Sequence, residues 1–189
     1  MPILGIMASQ ISGHLFAPSG AYDSIATVTL SSPAASVTFS SIPATYTDLI
    51  LITSALSPGG GNNSRGYRFE LNADTGTNYS QTWLANSTTT AVSSREATQT
   101  RGRIGSISET ASDMSSIITN FLDYSNTTTY KTVLSRSSNA NTNGDINVFS
   151  GVSLWRSTSA INAIKLTMSD NSSFITGSSF KLYGIEGAK

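Results

Sequence analysis

Apolar and polar residues alternate with a period of two along most of this chain. In Ile161–Ser169, Ile164, Leu166 and Met168 share one parity while Lys165 and Thr167 take the other, the pattern of a half-buried strand. Ser178–Glu186 repeats it, with Phe180, Leu182 and Gly184 opposite in parity to Lys181, Tyr183 and Ile185. Asp145–Ser157 precedes them, and the Ser-, Asn-, Thr- and Gly-rich connections Ser157–Ala160 and Asp170–Gly177 read as turns. The three segments together predict a closing antiparallel meander.

Further strands are expected earlier in the chain. Ile25, Thr27 and Thr29 alternate with Ala26, Val28 and Leu30, and Val37 and Phe39 resume the period after Pro33. Asp48–Ser57 (DLILITSALS) is the most continuous apolar run, and such a run reads as a central strand covered on both faces, or as one at the middle of a sandwich. Gly66–Asn72 sets Tyr67, Phe69 and Leu71 against Arg68 and Glu70. Tyr79–Leu84 and Arg101–Ser108 read as shorter strands. Ser115–Tyr124, rich in β-branched and aromatic residues, reads as a strand leading through an Asn126 turn into Tyr130–Ser137. Ala85–Gln99 and Ser138–Gly144 have few apolar anchors and are expected to be loops that carry a recognition surface. The expectation is an all-β protein of about ten strands, an antiparallel two-sheet sandwich of jelly-roll type, with a closed barrel as the main rival.

Residues 1–21 break the period. Ile3, Leu4, Ile6 and Met7 are followed by Ser, Gly and Pro, which suggests an N-terminal arm ahead of a β-sandwich domain over 22–189. Either the segment is an N-terminal strand or a frayed terminus, or it is an arm that buries those four side chains on a neighbouring subunit. The apolar stretch is short and no Lys or Arg precedes it, so a cleaved signal peptide is not expected.

Composition changes the picture in one respect. Polarity is carried by 34 Ser and 24 Thr, whereas only 12% of residues are charged and the formal net charge is zero. Hydroxyls suit strands better than helices, and the absence of a concentrated positive field argues against a nucleic-acid or anionic-membrane partner. No run approaches the length of a membrane-spanning helix.

Candidate chemistry is sparse. His14 is the one histidine and there is no cysteine, which leaves little from which to build a triad or a zinc site. Glu70, Asp123 and Asp145 are the carboxylates to consider for a glycosidase pair, although acids on strands and turns are ordinarily solvated. Asn72–Asn78 (NADTGTN) spaces oxygens as calcium loops do but lacks the downstream bidentate Glu, so an Asx-stabilised turn is the better reading. Sequons begin at Asn62, Asn78, Asn86, Asn126 and Asn171, as chance predicts in so Asn- and Ser/Thr-rich a chain. Trp83, and Trp155 with Arg156, close strands where an indole either stacks on a sugar or fills the core. No enzyme activity and no cofactor are expected.

Several segments, Pro2–Gly13 (PILGIMASQISG), Tyr22–Leu30 (YDSIATVTL), Ser40–Ile52 (SSIPATYTDLILI), Gly151–Ser157 (GVSLWRS) and Phe180–Gly187 (FKLYGIEG), together resemble small virion structural proteins of tailed bacteriophages, especially those of cyanobacteria. The resemblance covers both ends and much of the middle. It implies a virion component in one of two roles. The first is a capsid decoration or cement protein, commonly a homotrimer, bound to the major capsid protein. The second is a tail fibre or receptor-binding tip that engages a host surface glycan or protein.

Overall fold

The expected strands form, and they divide between two antiparallel sheets. The computed structural model describes residues 22–59, 64–87, 90–109, 114–140 and 146–186. Within them the strands are β1 (Asp23–Thr29), β2 (Ser36–Phe39), β3 (Asp48–Ala55), β4 (Ser64–Leu71), β5 (Tyr79–Ser87), β6 (Thr90–Gln99), β7 (Gly102–Ser108), β8 (Ser115–Leu122), β9 (Lys131–Ala140), β10 (Ile146–Trp155), β11 (Ile164–Met168) and β12 (Ser179–Ile185). The described residues contain no helix. His14, Asp145 and the proposed arm residues Ile3, Leu4, Ile6 and Met7 lie outside the described residues.

One sheet has eight strands in the order β1-β12-β3-β8-β9-β10-β5-β6, the other four in the order β2-β11-β4-β7. With β5, β6, β9 and β10 set aside, the remaining pairs nest: β1 with β12, β2 with β11, β3 with β8 and β4 with β7, alternately in the large and the small sheet. Nested pairing of this kind, wrapped across two sheets, is the jelly roll. The hairpin β5–β6 and the pair β9–β10 are added to one side of it and widen only the large sheet. The sheets do not close into a barrel.

Alternation decides which side chains meet between the sheets. Leu49, Leu51, Ile117, Phe121, Phe180 and Leu182 point inward from the large sheet, and Tyr67, Phe69, Leu71, Ile104, Ile164 and Leu166 from the small one. Each such side chain contributes roughly 1.5–3 kcal/mol on burial. Phe69 packs edge-on against both Tyr79 and Phe121, with ring centroids 5.9 and 5.7 Å apart. The buried Thr53 and Tyr67 hydroxyls bond across the gap at 3.1 Å, and burial pushes the Tyr67 phenol well above its ordinary range. Gly102 leaves room for the Phe69 ring, which a Cβ at that position would overlap.

Three expectations need correction. The closing strands are not a meander: β10 and β12 belong to the large sheet and β11 to the small one, and none of the three pairs with another. Residues 156–163 and 169–178 connect them, too long for tight hairpins and long enough to cross between sheets. Ala85–Gln99 is not a loop but most of the β5–β6 hairpin, paired from Ser87↔Thr90 to Tyr79↔Gln99. It lacks an apolar alternation because β6 is an edge strand exposed along much of its length. Finally, β3 lies at the middle of the large sheet and its second face is covered only in part, Ile50 being buried there while Ile52 remains exposed.

Candidate interaction surface

The outer face of β3, on which Ile50 is buried and Ile52 exposed, continues across the large sheet. Leu49, Leu51 and Ala55 belong to the core, so Ile50, Ile52 and Ser54 point outward. By the same parity Ile118 and Asn120 face out from β8, Leu134 and Arg136 from β9, Val148 and Val152 from β10, and Leu84 from β5. Ile52, Ile118, Leu134, Val148, Val152 and Leu84 are each between 36% and 56% exposed.

Register places these side chains side by side. One row runs Lys181, Ile52, Ile118, Arg136, Ser150, Leu84 across β12, β3, β8, β9, β10 and β5. The next runs Tyr183, Ile50, Asn120, Leu134, Val152, Thr82, Arg95 and reaches β6. Two shallow depressions lie on either side of Arg136. One, of about 410 Å³, is lined by Ile118, Ser138 and Val148, and the other, of about 260 Å³, by Asn120, Leu134 and Val152. Large apolar patches on a protein surface mark interaction sites; here the exposed aliphatics stand in pairs, Ile52 beside Ile118 and Leu134 beside Val152, with Arg136, Ser150 and Asn120 between them.

The signal for this face was present in the sequence. Asp48–Ser57, Ser115–Tyr124 and Asp145–Ser157 carry apolar residues on both parities, and the fold commits only one parity to the core between the sheets. No motif marks Ile118, Leu134 or Val148 in the sequence.

The other candidates have local explanations. The Asp74 carboxylate in Asn72–Asn78 is fully engaged, accepting from the Gly76 N–H at 2.9 Å, the Asn78 amide at 2.9 Å and Trp155 Nε1–H at 2.6 Å. Burial pushes its pKa up, and these three bonds outweigh that and hold it below the usual carboxylate range. The segment is thus an Asx-stabilised turn, and it anchors the Trp155 indole, which is buried in the core rather than presented to a sugar. Trp83 is stacked on Phe149, with the Arg103 guanidinium 4.4 Å from its ring centre.

Glu70 has the outward parity of the small sheet yet is buried, and it is ion-paired with Lys165 at 3.3 Å. Asp123 sits in the β8–β9 turn at φ 52°, its N–H donating to Asp48 at 2.6 Å. No hydrogen bond or ion pair joins the two acids. Among the described residues no cluster of three His, Cys, Asp or Glu side chains is placed to hold a metal. Asn126 and Asn78, both sequon residues, are engaged in turns: the Asn126 oxygen accepts from the Thr128 and Thr129 N–H groups, and the Asn78 amide donates to Asp74.

Lys131 is a buried lysine. Its Nζ donates to the carbonyls of Thr129 and Thr158 at 2.7 and 3.2 Å, and burial lowers its pKa against the opposing pull of Asp123. It fastens the start of β9 to the chain leaving β10.

No family model, curated protein or solved structure matches the chain.

Proposed function

We propose that this protein is a structural component of a tailed-phage virion, of the capsid-decoration kind, which seats the outer face of its eight-stranded sheet on a neighbouring subunit of the assembled shell. The observation that carries the structural role is two exposed aliphatic pairs in adjacent rows of that face, Ile52 beside Ile118 and Leu134 beside Val152. The virion setting is supported by the resemblance of the segments quoted above, and by analogy with the jelly rolls that build many viral shells. Decoration stabilises by mass action: a protein that binds the assembled state and not the free subunits shifts the equilibrium towards assembly. A homotrimer with Ile3, Leu4, Ile6 and Met7 as an assembly arm belongs to the same reading, as do the absence of a nucleic-acid or membrane partner and of catalysis.

A second reading, a fibre or host-recognition domain, draws on the β5–β6 hairpin. Leu84 and Val92 face opposite sides of it and both are exposed, so the hairpin presents apolar side chains on each face.

Quantitative mass spectrometry of purified virions, against the major capsid protein, separates the readings. Hundreds of copies per particle are expected for decoration. A few dozen or fewer would move the protein to the tail, and absence from the particle would overturn the virion role.

A further inference from the structure

The charges on the outer face are one-sided. At the outward positions of β12, β3, β8, β9, β10, β5 and β6 the bases are Lys181, Arg136 and Arg95, and the one acid is Asp48, at the margin on the first residue of β3. Asp48 is occupied by the Asp123 N–H. The ion pairs among the described residues involve Arg65, Arg68, Arg103 and Lys165, so none of the three outward bases is neutralised there. Arg136 is exposed, and it stands between the two depressions, with Ile118 and Ser150 as its cross-strand neighbours.

We propose that this face binds a protein surface on which a carboxylate lies between two aliphatic side chains, the carboxylate on Arg136 and the aliphatics in the two depressions. This rests on the reading of the face as an assembly surface and adds what it recognises. The two depressions reach Ser138 and Leu134, four residues apart on β9, or about 13 Å along the strand. An extended partner segment spans that distance with side chains at i, i+2 and i+4 on one side, which gives the pattern aliphatic-x-Asp/Glu-x-aliphatic. A planar guanidinium favours the carboxylate through paired hydrogen bonds.

The same charges disfavour two other occupants. A second copy docked face to face about a two-fold axis through the patch centre would bring Arg136 against Arg136 with no acid to separate them. A sugar ring would want an aromatic platform, but the aromatic ring in these rows, Tyr183 at their margin, is half-buried and packed edge-on with Tyr22, and both tryptophans are committed elsewhere, Trp155 to the core and Trp83 to Phe149 and Arg103.

The test is selection of a displayed random peptide library on the whole protein, with Arg136→Glu and Ile118→Lys as counter-selections. Both positions are exposed, so unchanged melting temperatures verify that the variants fold. Enrichment of aliphatic-x-acid-x-aliphatic peptides is expected, with affinity falling tenfold or more on either variant. Selection on Arg136→Glu should instead return a basic central residue.

Enriched peptides without the central acid, or peptides indifferent to both substitutions, would overturn the proposal. So would Arg136-dependent binding to vesicles containing phosphatidylserine, which makes the partner a lipid surface, or a concentration-dependent dimer abolished by Ile118→Lys, which makes it a second copy. A negative selection alongside a high virion copy number would leave the structural role standing and move its seat to another face.

Discussion

Arg68 and Arg103 stand directly opposite each other across the β4–β7 ladder. Like charges in register destabilise a strand pair, and the relief comes from outside the small sheet. Glu96, on the β5–β6 hairpin, reaches in to lie 3.3 Å from Arg68 and 3.8 Å from Arg103. The Gln81 side chain completes the contact, its amide donating to Glu96 and its oxygen accepting the Arg103 N–H at 2.7 Å. The hairpin added to the large sheet is thereby fastened to the edge of the small one.

Replacing Glu96 with Gln leaves the two guanidiniums facing each other. The expected cost is about 1–3 kcal/mol, read as a lower melting temperature. Adding Arg68→Gln to that variant should recover part of the loss, and a double-mutant cycle measures how much. Purely additive effects would mean that Glu96 does not mediate between the two arginines.

Acid should loosen the same corner. Burial pushes the Glu96 carboxyl up, but the Gln81 bond and the Arg68 and Arg103 charges outweigh it, and the net pKa is lowered; Asp74 is lowered likewise. A carboxyl held below its unfolded value, about 4 for these side chains, binds protons more readily unfolded. It therefore supports the fold above that value, and the support is lost as pH falls through the folded pKa. The melting temperature should be level from neutral pH to about 5 and drop below about 4, less steeply in Asp74→Asn. Emission from Trp155, whose indole bonds Asp74, should change over the same interval.

Ile117 and Ile118 are adjacent and chemically identical, and the fold treats them oppositely: the first is fully buried, the second 41% exposed. Truncating Ile117 to Ala should cost about 2–5 kcal/mol, and truncating Ile118 within about 0.5 kcal/mol, by chemical denaturation. Equal effects would place the register of β8 one residue off. The legibility of the sequence is visible here: the period of two says that these neighbours face opposite ways, and nothing in the run SSIITNFLDY says which face meets the core.

Gly102 is required by packing. The Phe69 ring occupies the space of a Cβ there and is itself held edge-on by Tyr79 and Phe121. Gly102→Ala is therefore expected to destabilise by about 1–3 kcal/mol through overpacking. A trimmed ring, as in a Phe69→Leu background, should reduce that penalty in a double-mutant cycle.

Where one parity is apolar and the other polar, local alternation by itself determined the strand and its faces: Ile164, Leu166 and Met168 inward, Lys165 outward, Phe180 and Leu182 inward, Lys181 outward. It determined the class of fold as well, because turn-punctuated strands with one apolar face have few ways to bury it other than against a second sheet. Which strand pairs with which was decided only in three dimensions. The nested jelly-roll order joins β1 to β12 and β2 to β11 across most of the chain, and long-range pairing leaves no mark in a window of ten residues. The β5–β6 hairpin was hidden for a related reason, since a strand at the rim of a sheet needs no apolar alternation. The outward face of Ile52, Ile118 and Leu134 was half visible, as apolar runs with no second period. Only the tertiary structure, by spending one parity on the core, left the other parity as a surface with Arg136 at its centre.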